Sequence, residues 1–127
     1  MHRRSYDILW LAILLLALMY WVLYASSSKD NPGEPRSLTY NLSITAPLPG
    51  QALPLFRAGQ GDTVTFVLRS DRSGIAHLHG YEKEVTLKPG AAVTLTVTAK
   101  DAGVFPLHLH EADGSMSPLA TLEVQPR

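Results

Sequence analysis

The residues with the clearest chemistry are histidines. The chain holds five. His2 stands near the N-terminus, and the other four form two pairs of one spacing, His77-Leu78-His79 and His108-Leu109-His110. On a β-strand, residues i and i+2 point to one face, about 6.6 Å apart at about 3.3 Å per residue. Two imidazoles so placed can converge on one ion. Two such pairs on neighbouring strands would supply three or four nitrogen ligands, a donor set that suits copper, zinc, nickel or iron. Met116 adds a soft sulfur donor, and Glu82 and Glu111 add oxygen donors close by in sequence. Taken singly, each of these three reads as a solvated loop residue, and a lone strand histidine is ordinarily a surface or hydrogen-bonded residue. Two pairs that use every histidine beyond His2 point instead to a metal.

Other chemistry finds little support. The absence of cysteine excludes disulfides, thiolate metal sites and a cysteine nucleophile. No nucleophile-elbow sequence is present. Gly59-Gln60-Gly61 reads as a turn, not a phosphate cradle, because no helix follows it. Arg57, Arg69 and Arg72 are scattered, and Glu82 and Glu84 share a strand face and read as pointing to water. Acidic and basic residues balance at 11 each, which argues against a nucleic-acid partner held by bulk charge. A hydrophobic share of 46% argues against disorder.

The elements that must position the histidines have a period of two. Leu38, Tyr40, Leu42 and Ile44 alternate with polar residues, as do Val64, Phe66 and Leu68, and Val93, Leu95 and Val97. Val85 with Leu87, Phe105 with Leu107 and Leu109, and the run Leu119 to Val124 complete the pattern. Turn signals separate these runs at Pro49-Gly50, Gly59 to Asp62, Asp71 to Gly74, Lys88-Pro89-Gly90, Asp101-Ala102-Gly103 and Asp113-Gly114. About seven short strands so spaced predict an all-β sandwich. If Phe105, Leu107 and Leu109 face the core, His108 and His110 face away from it. His77 and His79 likewise oppose Ala76 and Leu78. The alternation leaves open whether the two pairs share a side.

The N-terminus is different in kind. Ile8 to Ala25 carries no charge, proline or glycine. It would span about 27 Å as a helix, against a hydrocarbon core of about 30 Å. Trp10 near one end, and Tyr20, Trp21 and Tyr24 near the other, suit the two membrane interfaces, and Arg3 and Arg4 place the start in the cytoplasm. The expected organisation is a tail over 1–7, a transmembrane anchor over 8–25, a flexible linker over 26–37 and an exported domain over 38–127. A cleaved signal peptide is the rival. The apolar run is longer and more aromatic than such a peptide's core of about 7–15 residues.

The stretch from Gly61 to Met116 resembles a cupredoxin domain. Gly61-Asp62 opens a strand, His77 or His79 follows one strand later, Pro89-Gly90 precedes a Thr/Val-rich strand, and Gly103-x-Phe105-x-Leu107 matches in order. The His-x-His pairs are also similar to elements of multicopper oxidases. The resemblance implies a Greek-key β-sandwich and copper as cofactor. It also implies where the chain departs. Leu109 stands at the family's cysteine position, so a blue-copper His₂Cys site cannot form, and His110 comes earlier than the family's second histidine ligand. The whole is most similar to cysteine-less, membrane-anchored bacterial cupredoxin-like proteins.

The expected function is a single-pass protein of the plasma membrane with its C-terminal domain in the periplasm or outside the cell. It would hold, buffer or deliver copper through His77, His79, His108, His110 and Met116, without being an enzyme. Its partners would be the membrane and a copper-exchanging membrane protein. The alternative is a metal-free cupredoxin-like interaction module of a membrane complex. A small copper enzyme is a third reading, with no substrate pocket legible in so short a chain.

Overall fold

The computed structural model describes residues 3–26, 33–46 and 52–127. Two compact units result, one within residues 1–32 and one over Gly33–Arg127. The expected Pro49-Gly50 turn and most of the expected linker lie outside the described residues.

In the first unit, α1 runs from Arg3 to Ser26, 24 residues. No helix breaker interrupts it, and its described side chains, Trp10 to Tyr24, are all exposed. Tyr20 and Tyr24, one turn apart, stack with ring centroids 6.3 Å apart. Among the described residues no helix is long and apolar enough to cross a membrane. The sequence expectation rests on Ile8 to Ala25, which extends past the described side chains at both ends. The transmembrane anchor expected over 8–25 is thus not found among the described residues.

Among the described residues the second unit is a β-sandwich of eight strands: β1 (Ser37–Ile44), β2 (Leu55–Gly59), β3 (Thr63–Ser70), β4 (Gly74–Leu78), β5 (Lys83–Leu87), β6 (Ala92–Thr98), β7 (Gly103–His110) and β8 (Met116–Gln125). One sheet has the order β1-β3-β6 and the other β2-β8-β7-β4-β5. The chain changes sheet at every connection except β4–β5 and β7–β8. β1 pairs in parallel with β3, and β2 with β8; the remaining pairs are antiparallel.

The period-two pattern sets which side chains meet between the sheets. Val64, Phe66 and Leu68 of β3 and Leu95 and Val97 of β6 are buried from one side. Ala76, Leu78, Leu107, Leu109, Ala120, Leu122 and Val124 are buried from the other. Tyr40, Phe56 and Phe66 form an aromatic cluster at 4.6–6.0 Å between ring centroids, and the Tyr40 hydroxyl donates to the Arg57 carbonyl. The cluster ties β1, β2 and β3 together across both sheets.

The eighth strand, β2, corrects the expected count of about seven. Its inward residues are Phe56 and Ala58, while Leu55 faces solvent at 47% exposure. Alternation is therefore masked in so short a segment, and its end merges with the Gly59 to Asp62 turn.

Candidate metal centre

β4 and β7 are hydrogen-bonded neighbours, with His77 directly opposite His108 and Ile75 opposite His110. Ala76, Leu78, Leu107 and Leu109 turn into the core, so the intervening residues share the sheet's outer face. His79 lies one residue beyond β4, and its N–H donates to the Pro106 carbonyl at 3.0 Å, which continues the pairing. The two histidine pairs thus face the same way and lie side by side.

The rings are close. Centroids stand 4.1 Å apart for His77 and His79, 4.8 Å for His79 and His108, 5.6 Å for His77 and His110, and 5.9 Å for His79 and His110. One ligand nitrogen from each of His77, His79 and His110 lies within 4.8 Å of the others. Nitrogens bound to one ion at about 2.0–2.1 Å stand about 3.4 Å apart in tetrahedral geometry.

Three buried ring nitrogens, His79 Nε2, His108 Nδ1 and His110 Nε2, have no hydrogen-bond partner among the described residues. Buried polar atoms are nearly always satisfied, and exceptions point to an ion, a water or a chemical role. Burial pushes the His108 pKa below the ordinary imidazole value, and the neighbouring His79, His110 and His77 push it the same way. A neutral imidazole is the ligand form, so this crowding fits metal binding rather than opposing it.

Carboxylates rim the cluster. Glu84 of β5 pairs directly with His77, with its Oε1 3.6 Å from His77 Nδ1. Glu82 Oε2 lies 3.1 Å from His77 Nε2, and its Oε1 accepts the Gly80 N–H at 3.2 Å. The Gly80 N–H and then the His77 ring hold the Glu82 carboxyl below its ordinary pKa. Glu82 and Glu84 remain mostly exposed, as the sequence suggests, yet both lean on His77 rather than simply facing water.

The other expected contributors separate. Met116 stands opposite His110 in the β7–β8 register but is 56% exposed. Glu111 accepts from the Ser117 hydroxyl at 3.3 Å and lies 3.9 Å from Arg72, outside the group that closes on a common point. His108 sits beside that group and packs edge-on against His79.

The hairpin that carries His79 and Glu82 depends on Gly80. Its φ is +86°, and a Cβ there would lie 2.6 Å from Phe105 Cδ1. Gly80→Ala should cost about 1–3 kcal/mol of stability through the left-handed backbone and the clash together. Thermal unfolding of the purified protein checks this; an unchanged midpoint would show that the turn relaxes freely.

No protein-family model matches the sequence, and no curated protein matches it either. Solved structures do. A multicopper oxidase from Pseudomonas thermotolerans aligns over 74% of this chain and 31% of its own, with TM-score 0.54 and 20% identity. A copper nitrite reductase from Nitrosomonas europaea aligns over 74% of this chain and 42% of its own, with TM-score 0.53 and 22% identity. The chain therefore spans well under half the length of these proteins. A chain of a heme-copper terminal oxidase dimer aligns over 97% of this chain and 100% of its own, with TM-score 0.50 and 19% identity. At such identity the likeness concerns the fold. With the two-sheet topology above, it makes Gly33–Arg127 a cupredoxin-like domain.

Proposed function

We propose that the chain is a membrane-anchored cupredoxin-like protein that holds copper through His77, His79 and His110 and passes it to a membrane-bound partner. The observation that carries this reading is the convergence of three imidazoles on one sheet face, two of them with buried, unpartnered Nε2 atoms. Solved neighbours of the fold include a multicopper oxidase and a copper nitrite reductase. His108 packs edge-on against the ring of His79, and Met116, exposed opposite His110 in the strand register, would offer a thioether to help retain Cu(I).

The bound ion would supply a site for ligand exchange. The chain's own residues do the rest: three imidazoles bind, Glu84 orients His77, and the exposed rim leaves an approach for a partner's ligands. With no cysteine in the chain and buried Leu109 at that position, copper–thiolate electron transfer has no ligand here. In this reading the protein is not an enzyme.

Anchoring is supported by the 24-residue helix with exposed apolar side chains and by Arg3 and Arg4 at its start, which would leave the domain on the extracytoplasmic, periplasmic side. A metal-free module of a membrane complex is the second reading. It draws on the alignment along nearly the whole chain with a chain of a heme-copper terminal oxidase dimer.

Cu(II) titration of the full chain in detergent, followed by EPR and visible spectra, separates the two. Saturation near one equivalent, with nitrogen hyperfine structure and no intense blue band, is the expected result. Weak, non-saturating binding would sink the copper reading and leave the module.

A further inference from the structure

Glu82 occupies a backbone conformation that its side chain does not favour. Its φ is +48°, a left-handed value where glycine or asparagine is at home and other residues are held at some cost. Glycine carries no carboxylate, and asparagine is one methylene shorter and uncharged. What the strained position achieves is aim: the turn returns the Glu82 carboxylate over His77, with Oε2 3.1 Å from Nε2 and Oε1 fixed by the Gly80 N–H at 3.2 Å. The His77 side chain is 13% exposed and that of Glu82 75%, so the carboxylate stands on the solvent side of the imidazole group.

The partners of the three imidazoles differ. The Nε2 atoms of His79 and His110 are buried without partners, whereas His77 Nε2 faces Glu82 and His77 Nδ1 faces Glu84. A neutral His77 carries one proton. With that proton on Nε2, Glu82 is satisfied and the group is closed. With it on Nδ1, it points at Glu84, and both Nε2 and the Glu82 carboxylate are left as donors toward the same space.

We infer that Glu82 is the fourth ligand of the site. Its Oε2 would turn from His77 Nε2 to the ion, with the one proton of a neutral His77 held on Nδ1, facing Glu84. This inference rests on the copper reading and deepens it. A hard carboxylate oxygen beside three imidazoles favours Cu(II) over Cu(I). Cu(I), a softer ion, would hold the Glu82 oxygen less tightly than Cu(II) would.

The test uses the full chain in detergent, with Cu(II) alone and, separately, Cu(I) under a competing chelator. Glu82→Gln should lower Cu(II) affinity about 10–100-fold, the scale of ligand-sphere changes, and change g∥ of the Cu(II) spectrum, with Cu(I) affinity nearly unaltered. Glu82→Gly removes the carboxylate while suiting φ +48°, so it should match Glu82→Gln in binding without loss of thermal stability. An unaltered Cu(II) spectrum and affinity in Glu82→Gln, with binding still lost in His79→Ala, would overturn Glu82 as ligand and keep the three-histidine site. Lower affinity with an unaltered spectrum would also overturn it, leaving Glu82 as a group that positions His77. Binding indifferent to His79→Ala would overturn both readings.

Discussion

Replacing His79 or His110 by alanine should lower Cu(II) affinity about 100-fold or more, while His108→Ala should lower it about tenfold. The first figure exceeds, and the second matches the low end of, the range of about 10–100-fold that changes around a metal's direct ligands produce. The ranking follows from geometry. His77, His79 and His110 each bring a nitrogen within 4.8 Å of the other two, and the buried Nε2 atoms of His79 and His110 have no hydrogen-bond partner among the described residues. His108 packs against His79 at 4.8 Å and 66° between ring planes. Its removal loosens the orientation of a ligand without removing one. Equal losses in His108→Ala and His79→Ala would move the ion toward the His79–His108 pair and add His108 to the direct ligands.

Much of this arrangement is legible in the sequence because one physical rule, alternation across a strand, governs both core and site. Val64, Phe66 and Leu68 announce their strand by burial on one side. The same parity places His108 and His110 opposite Leu107 and Leu109, on the outer face. Alternation is silent on which strands become neighbours. β4 and β7 meet through pairing of residues far apart in the chain, His77 with His108, and a slip of one residue would have put the pairs on opposite faces. Hence the sharing of a face was open, and so was the exclusion of His108 from the group that closes. Glu84 reads as a solvated strand residue until β5 is set beside β4, where it faces His77. Glu82 depends on a single backbone angle that no local pattern announces. β2 escaped because Leu55 is exposed and Ala58 too small to mark a face.

Asp62→Ala should be among the most damaging substitutions outside the site, costing about 3–5 kcal/mol. Its side chain is fully buried and works as a knot. Oδ1 accepts from the Arg36 N–H and the Arg127 guanidinium, both at 2.7 Å, and Oδ2 accepts the Gly59 N–H at 2.7 Å. Arg127 also donates to the Glu34 carbonyl at 2.8 Å. One carboxylate thus joins the segment before β1, the end of β2 and the C-terminal residue. Alanine would leave these donors buried or reaching for water. Burial alone would raise the Asp62 pKa; the Arg36 and Gly59 N–H groups, then Arg127, outweigh it and hold the value below the ordinary range. The sign follows: a carboxyl depressed in the folded state stabilises above its unfolded value of about 3.9 and loses that contribution as pH falls through the folded one. At about 4–8 °C per kcal/mol for a domain of this size, a 3 kcal/mol loss lowers the unfolding midpoint by about 12–24 °C at neutral pH. The gap between wild type and Asp62→Ala should begin to narrow as pH falls below about 4, where the unfolded chain's carboxyl takes up a proton, and narrow further as pH falls through the lower folded value. Calorimetry at pH 7 and pH 3 checks both statements. A gap that persists undiminished in acid would locate the stabilisation in packing around Asp62 rather than in its charge.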